Sequence, residues 1–215
     1  MLWSLLIAAI PERFHSVQPL LYSLLEAQSV ARMPDVELLY VLDNRRRPVG
    51  AKRNDLLDMA RGEYVSFIDD DDEVAPDYVR RVHDAIILAR RQAPPVDVIC
   101  FPQRAILHPH NVTHECTYSL AHFRIRPPDQ RRQLAPMPGP DGKPLPNCLA
   151  WSGPPAHTMV WRRELVKEVR FPDQTFGEDV SWVDQACARA ASEICLDGQP
   201  LYFYKFDQER TATRG

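Results

Sequence analysis

Four consecutive aspartates, Asp69 to Asp72, stand near the end of the segment Gly-Glu-Tyr-Val-Ser-Phe-Ile-Asp-Asp-Asp-Asp-Glu at positions 62–73. Adjacent negative charges repel one another, so a fold that holds them together needs a compensating cation or exposure to water. Hard carboxylate oxygens suit Mg²⁺ or Mn²⁺, and these ions commonly bridge to the phosphates of a nucleotide. An isolated acidic run is usually a solvated loop. The rest of the chain must decide between these two interpretations.

Two further carboxylate motifs lie next to other apolar or amphipathic segments. Asp43 ends a continuously apolar segment, and Gly177-Glu178-Asp179 precedes an amphipathic segment with Val180, Val183, Ala186 and Cys187. A carboxylate can act as a general base. It can also simply cap a turn or favour the first turn of a helix. Both interpretations remain open for each motif.

The elements that must position these carboxylates alternate between strands and helices. Apolar runs predict strands at 2–9, 36–42, 64–68 and 96–101, and helical spacing predicts helices at 17–28, 52–60 and 76–91. This alternation is typical of an α/β fold with a mostly parallel central sheet flanked by helices. In such sheets ligands bind beyond the carboxyl ends of the strands. Glu12-Arg13, Asp43-Asn44 and Asp69 to Asp72 all fall at such ends, which predicts one shared site.

The second half of the chain is less regular. Residues 102–152 are rich in Pro, His and Arg, which predicts long surface loops with a hairpin around 113–123. Beyond them we expect strands at 158–161 and 200–206 and helices at 163–169 and 180–191. His108, His110, His114 and Cys116 lie close together, but their spacing matches no common zinc pattern, so loop or acceptor-side histidines are the preferred interpretation.

Composition limits the class of protein. A net charge of −3 and a pI of about 6.2 argue against a chain that mainly coats nucleic acid. Five cysteines without a CxxC motif predict a reduced, intracellular protein rather than a disulfide framework, and we therefore expect a cytoplasmic location. The apolar segment 2–10 is too short to span a bilayer.

Five fragments in order carry a family resemblance: Ile10-Pro11-Glu12-Arg13, Val41-Leu42-Asp43, Gly50-Ala51-Lys52-Arg53-Asn54, Phe67-Ile68-Asp69-Asp70-Asp71-Asp72 and Gly177-Glu178-Asp179. Together they resemble the family 2 glycosyltransferases of the GT-A fold, most strongly over 1–80 and 155–206. The resemblance implies a single catalytic domain over 1–215. Its nucleotide-sugar-binding half is expected at 1–101, and its acceptor-side and catalytic-base half at 102–215.

The resemblance also implies a reaction and its residues. The reaction is an inverting transfer of a sugar from a nucleotide-sugar to a hydroxyl acceptor, with Mn²⁺ or Mg²⁺ bound by Asp71 and Asp69. Asp179 is the expected base, with Glu178 as its helper. Asp43 is expected to accept a hydrogen bond from a pyrimidine base, which favours a UDP-sugar. The residues expected to bind the nucleotide-sugar are Pro11, Arg13, Asp43, Arg53, Asp69, Asp70 and Lys205.

One departure from the family lies near the end of the chain. Many GT-A enzymes supply a late histidine to the metal or diphosphate, whereas this chain has Lys205 and Asp207 in that region. His157, before a predicted strand, is a further candidate for contact with the acceptor or diphosphate.

Several alternatives remain open. A glycan is the expected acceptor, a nucleic acid is an alternative because of Arg124, Arg126, Arg131 and Arg132, and a lipid is less favoured. A sugar nucleotidyltransferase shares the metal chemistry, but Pro11-Glu12-Arg13-Phe14 lacks the Gly-rich loop expected there. A non-catalytic module that binds a nucleotide or cation is the remaining hypothesis.

Overall fold

The strands form two six-stranded sheets. The computed structural model describes residues 1–27, 29–174 and 177–207. The first sheet contains β1 (Trp3–Ala9), β2 (Val36–Leu42), β3 (Tyr64–Phe67), β5 (Val98–Cys100), β10 (Val160–Arg162) and β11 (Glu193–Cys195). The second contains β4 (Glu73–Val74), β6 (Gln103–His108), β7 (Val112–Tyr118), β8 (Gln133–Pro138), β9 (Pro144–Gly153) and β12 (Tyr202–Asp207).

The first sheet is mostly parallel, in the order β11-β5-β10-β3-β1-β2. β1 pairs in parallel with β2 and β3, and β11 pairs in parallel with β5. β10 is antiparallel to both of its neighbours. The predicted α/β class is therefore confirmed, while the mostly parallel arrangement holds for this sheet only. The second sheet, β4-β12-β6-β7-β9-β8, mixes parallel and antiparallel pairs.

Six α-helices accompany the sheets within the described residues: α1 (Phe14–Tyr22), α2 (Val49–Met59), α3 (Tyr78–Arg90), α4 (Leu120–Arg124), α5 (Arg163–Val166) and α6 (Glu178–Arg189). The helix predicted at 17–28 begins earlier, at Phe14, and its later part is a π-helical turn at Ser23–Ala27. Gln28 lies outside the described residues. None of the described helices combines the length and the apolar character that crossing a bilayer requires.

The prediction of long loops over 102–152 is wrong, because this region supplies four strands of the second sheet. The hairpin predicted around 113–123 lies earlier, between β6 and β7. Four of the nine prolines in this region lie on strands: Pro136 and Pro138 on β8, and Pro144 and Pro146 on the exposed start of β9. β8 is the edge strand, and an edge tolerates proline because one row of its N–H groups has no ladder partner to lose.

An aromatic cluster holds α6 against the first sheet. Trp182 is fully buried and stacks on Phe171, with ring centroids 4.9 Å apart and planes 5° apart. The rings of Phe67 in β3 and Trp161 in β10 meet Trp182 edge-on. Because these rings fix the helix relative to β3, the first turn of α6 lies beside the end of that strand.

Truncating this cluster should therefore destabilise the fold. We expect Trp182→Ala to lower the free energy of unfolding by about 3–5 kcal/mol, as for other buried large-to-small changes. Val180→Ala is the control, because Val180 lies on the same helix and is 38% exposed. It should change stability by no more than about 0.5 kcal/mol. Urea unfolding followed by circular dichroism measures both, and equal losses would contradict this packing.

Candidate active site

The motif Gly50-Ala51-Lys52-Arg53-Asn54 opens α2 and connects three parts of the chain. A Cβ atom at position 50 would lie 2.1 Å from the carbonyl oxygen of Pro172, so only glycine allows this approach. Asn54 fixes the same segment, since its side chain donates to Phe171 O and accepts from Phe171 N, both at 2.9 Å. The start of α2 is thereby held against the chain that leads into α6.

Arg53 joins the end of β3 to the start of α6. Its Nη2 donates to Asp69 Oδ1 at 2.7 Å, and its Nη1 donates to Glu178 Oε1. We call this pair of bonds the Arg53 fork. Arg53 is 6% exposed and Glu178 is also buried, so the fork is largely shielded from water. Arg53, predicted to bind the nucleotide-sugar, therefore uses its guanidinium to position two carboxylates, and Glu178 is held by it.

The Arg53 fork also governs the charge of Asp69. Burial by itself raises the pKa of Asp69, but the charges of Arg53 and His157 outweigh burial and hold that pKa well below its usual range. For Glu178 the balance is the opposite, because burial raises its pKa even though Arg53 opposes the shift. Asp69 is thus kept as a carboxylate.

Asp70 and Asp71 share a second arginine. Arg13 Nη1 donates to Asp70 Oδ1 at 2.7 Å, and Arg13 Nη2 lies 3.0 Å from Asp71 Oδ2. Asp70 is buried and also accepts from the backbone N–H of Ile10 at 3.0 Å, so it ties β3 to the end of β1. The side chain of Asp71 is 31% exposed. Burial, with Asp69 and Asp70 nearby, raises the pKa of Asp71 to about 6.

Asp72 points the other way and anchors β12. Its Oδ2 accepts from the Tyr202 hydroxyl at 2.6 Å, and its Oδ1 accepts from the backbone N–H of Lys205 at 2.9 Å. The Tyr202 oxygen in turn accepts from the backbone N–H of Asp69 at 3.0 Å. Burial raises the pKa of Asp72 well above its usual value, with the charges of Asp69 and Asp71 in support. Asp71 is therefore the member of the run most available to a ligand.

Asp43 meets a lysine that the sequence analysis did not single out. Lys52 Nζ lies 3.2 Å from Asp43 Oδ1, and the backbone N–H of Arg45 donates to the same oxygen at 3.0 Å. Arg47 Nε is 3.4 Å from Asp43 Oδ2. Burial raises the pKa of Asp43, but Lys52 outweighs this effect and the pKa is lowered. The position of Lys52, within the α2 motif and beside Arg53, was the signal that could have found it.

Two neighbouring cavities open along these residues. The smaller, of about 320 Å³, is lined by Ile10, Arg13, Arg45, Arg47, Lys52 and Asp70, among others. The larger, of about 810 Å³, is lined by Glu12, Arg13, Arg45, Asp71, Glu73 and Lys205, among others. Because Arg13 and Arg45 line both cavities, the two are adjacent, and Asp71 lines the larger one, where it pairs with Arg13.

His157 lies between Asp179 and the four aspartates Asp69 to Asp72, which we call the acid run. Its Nε2 lies 3.4 Å from Asp69 Oδ2, and its Nδ1 lies 3.9 Å from Asp179 Oδ2. His157 is buried, while the side chain of Asp179 is 41% exposed. Gly177, at the N-cap of α6, has a φ of 73°, which glycine adopts without strain. This turn brings Asp179 to the edge of the sheet that carries Asp69.

The remaining predicted residues lie around this centre. Pro11 opens an exposed 3₁₀ turn, Pro11–Arg13, directly after β1. Lys205 pairs with Glu73 and lines the larger cavity. The side chain of Asp207 is outside the part of the chain that the structure describes.

Several of the other candidates have ordinary structural roles. Arg124 donates to the Ala190 carbonyl at 2.7 Å, and Arg131 lies 3.8 Å over the ring of Phe123. Among residues 1–27, 29–174 and 177–207, one group of three potential metal ligands lies close enough together to share an ion. It consists of Cys100, Glu193 and Cys195. The His108 to Cys116 segment therefore forms no such group within those ranges.

Comparison with known proteins identifies the family. The family model described as "Glycosyl transferase family 2" matches residues 22–132, which is more than half of the chain. The chain belongs to glycosyl transferase family 2. The predicted family is thereby confirmed. A search of curated proteins finds no match.

Solved structures share the fold. S. aureus TarS matches with a TM-score of 0.58 and 17% identity, over 97% of this chain and 37% of TarS. TarS 1–349 in complex with UDP-GlcNAc matches with a TM-score of 0.59 and 17% identity, over 97% of this chain and 59% of that one. TarS 1–349 in complex with UDP matches with a TM-score of 0.58 and 17% identity, over 97% of this chain and 62% of that one. The chain thus spans less than two thirds of these proteins, and at this identity the likeness concerns the fold.

Breaking the Arg53 fork should destabilise the protein, because the buried Glu178 and the partly buried Asp69 would lose the cation they share. We expect Arg53→Met to cost about 3–5 kcal/mol. Arg53→Lys should recover only part of this, since an ammonium group cannot reach both carboxylates as a planar guanidinium does.

Arg170→Met is the matched control for this experiment. Arg170 pairs with Asp58 at 2.7 Å, but both side chains are about half exposed, so the loss should stay below about 1 kcal/mol. Guanidinium unfolding curves compare the variants. A loss for Arg53→Met as small as that for Arg170→Met would contradict the structural role of the fork.

Proposed function

We propose that the protein transfers a sugar from a UDP-sugar to a hydroxyl group of a glycan, with inversion at the anomeric centre and with Mn²⁺ or Mg²⁺. One observation carries the proposal: a continuous chain of contacts runs from Arg53 through Asp69 and His157 to Asp179. It sets an exposed carboxylate beside the acid run, as a base acting next to a metal-bound diphosphate requires.

The smaller cavity is the proposed site for the nucleotide. Asp43 lies next to it and accepts the N–H of a pyrimidine, while Lys52 keeps Asp43 charged. The guanidinium groups of Arg13 and Arg45 stand at the junction of the two cavities, where they attract the diphosphate. S. aureus TarS, whose fold the chain shares, has been crystallised in complex with UDP-GlcNAc and with UDP. This supports a uridine nucleotide as the donor.

The acid run fits a hard divalent cation. Mg²⁺ and similar ions are usually bound by one or two carboxylates together with substrate phosphates. Asp71, at 31% exposed, is the proposed first ligand, and Asp69, kept charged by Arg53, is the proposed second. When bound, the ion stabilises the negative charge that develops on the leaving diphosphate. The guanidinium group of Arg13, which pairs with Asp71, adds a positive charge beside this proposed ion site.

Asp179 is the proposed general base. It accepts the proton of the acceptor hydroxyl as that oxygen attacks, and this direct attack inverts the anomeric centre. His157 Nδ1 lies 3.9 Å from Asp179 Oδ2, and Glu178, which pairs with Arg53, fixes the first turn of α6. Residues 1–101 form the proposed nucleotide-sugar half and residues 102–215 the proposed acceptor and base half.

A neutral glycan suits the larger cavity better than a nucleic acid. Each cation on its wall faces an acid: Arg45 lies 3.3 Å from Glu12, Lys205 pairs with Glu73, and Arg13 pairs with Asp71. Arg13 and Arg45 are used by the donor diphosphate in this proposal, and Lys205 is paired with Glu73, so the described Lys and Arg residues that line this cavity leave no further cation for the row of phosphates in a nucleic acid. Arg124 and Arg131, which had suggested a nucleic-acid acceptor, are used in packing.

A screen of nucleotide-sugars with Mn²⁺, which detects release of the nucleoside diphosphate, tests the reaction. We expect turnover with a UDP-sugar. Asp179→Asn should reduce transfer at least about 100-fold, as removal of a general base does, while UDP binding measured by calorimetry stays unchanged. Asp184→Asn, an exposed carboxylate on the same helix, is the control and should retain activity. If none of the UDP-sugars releases its diphosphate, or if Asp179→Asn keeps full activity, the proposal is contradicted.

Asp71→Ala tests the metal. We expect Mn²⁺ added together with UDP to stabilise the wild type, by about 2.7 kcal/mol when the ligand is present at 100 times its Kd. Asp71→Ala should lose the part of the stabilisation that depends on Mn²⁺. Asp141→Ala removes an exposed turn carboxylate instead and should behave as the wild type. Thermal unfolding measures all three, and identical shifts for wild type and Asp71→Ala would rule out Asp71 as a ligand.

A further inference from the structure

A second cluster of chemically reactive side chains lies at the other edge of the first sheet. β11 is the edge strand, and it pairs in parallel with β5. Cys195 and Cys100 are register partners on these two strands. Glu193, two residues before Cys195, points to the same face of β11 because side chains alternate along a strand. The strands β10 and β3 separate this edge from β1 and β2, whose ends carry the proposed donor site.

The three side chains are close to the geometry of a metal site. One ligand atom from each of Cys100, Glu193 and Cys195 lies within 4.8 Å of the others, and Cys100 Sγ is 3.8 Å from Glu193 Oε2. Tetrahedral Zn²⁺ with Zn–S of about 2.3 Å and Zn–O of about 2.1 Å separates two sulfurs by roughly 3.8 Å and a sulfur from an oxygen by roughly 3.6 Å. An approach of about 1 Å or less would complete the three-ligand set.

The carboxylate is already oriented for this role. The Ser119 hydroxyl donates to Glu193 Oε1 at 2.8 Å, and the backbone N–H of Leu120 donates to Glu193 Oε2 at 2.7 Å. Ligands in metal sites are typically held by hydrogen bonds of this kind. These bonds also cap α4, so Glu193 connects the edge strand to the helix that follows β7.

An ion has a route into the cluster. Cys195 is exposed, whereas Cys100 is buried. Both line a cavity of about 510 Å³, and three further sulfur-bearing residues line the same cavity: Cys116, Met137 and Cys148. The cavity thus gives access from solvent, room for a water ligand and an unusually sulfur-rich wall.

We propose that Cys100, Glu193 and Cys195 bind a thiophilic divalent cation, with Zn²⁺ as the best fit and a water molecule from the cavity as its fourth ligand. Each thiol loses its proton to solvent as its sulfur binds the ion. The site is separate in place and in chemistry from the proposed Mn²⁺ or Mg²⁺ site, because thiolates select soft ions and carboxylates alone select hard ones. The ion would join β5, β11 and α4.

The test uses the full chain, purified with a phosphine reductant so that both thiols are free. Cd²⁺ is the first probe, because thiolate ligation produces a near-ultraviolet charge-transfer band that a carboxylate-only site does not produce. Zn²⁺ affinity is then measured by competition with a chromogenic chelator. We expect one equivalent of each ion to bind. Cys195→Ser should weaken Zn²⁺ binding at least about tenfold and remove most of the Cd²⁺ band.

Two further variants make the result specific. Glu193→Gln should weaken Zn²⁺ while preserving much of the Cd²⁺ band, since both sulfurs remain. Cys148→Ser removes a sulfur from the wall of the same cavity but outside the trio, and it should bind both ions as the wild type does. Absence of the Cd²⁺ band in the wild type, or a Cys148→Ser variant that loses as much affinity as Cys195→Ser, would overturn the proposal. Circular dichroism of Cys195→Ser, an exposed position, confirms that the comparison is between folded proteins.

Discussion

The site depends on one buried arginine. Arg53 lies in α2, the helix that follows β2. Its two terminal nitrogens donate to Asp69 at the end of β3 and to Glu178 in the first turn of α6. Burying three charged groups is costly, and such an arrangement persists only where the geometry satisfies all of them. A planar guanidinium meets that condition because it presents separate donors in a fixed direction to each acid. The distance between the acid run and the α6 turn is set by this residue.

The repulsion between the four adjacent carboxylates of the acid run is reduced because they do not all have the same neighbours. Asp69 faces Arg53, Asp70 faces Arg13 and the backbone of Ile10, and Asp72 faces Tyr202. Each of these three carboxylates stabilises a junction between elements. Asp71 retains partial exposure next to the larger cavity. Asp69, Asp70 and Asp72 therefore have structural roles, while Asp71 has the exposure that its proposed role as a ligand needs.

The sequence predicted most elements of the first half, and β10, α5, α6 and β12 of the second, but it predicted residues 102–152 poorly, and the reason is physical. β1, β2 and β3 are buried in a parallel sheet and appear as continuous apolar runs. β8 and the start of β9 are exposed at an edge, so burial imposes no apolar pattern on them and their prolines resemble a loop. The three-residue β11 is too short to show any periodicity.

The same limit applies to the site. The motifs identified Asp43, Asp69, Asp71 and Asp179 because such spacing is local. Partners came from far along the chain: Tyr202 reaches Asp72 across 130 positions, and Glu178 reaches Arg53 across 125. A pattern of neighbouring residues in the sequence cannot indicate a contact between residues that are more than a hundred positions apart. For that reason the sequence could suggest a role for each of these residues, which stays a prediction, but it could not show which side chains are held by such long-range contacts.

The central claim is that the Arg53 fork holds the acid run and Asp179 around a single nucleotide-sugar site at the carboxyl edge of the first sheet. A crystal structure of the protein soaked with Mn²⁺ and UDP tests it most directly. We expect an ion on Asp71, the diphosphate between that ion and Arg13, and the uracil beside Asp43, with Asp179 facing the same space. An ion and nucleotide bound elsewhere, with this edge of the sheet empty, would contradict it.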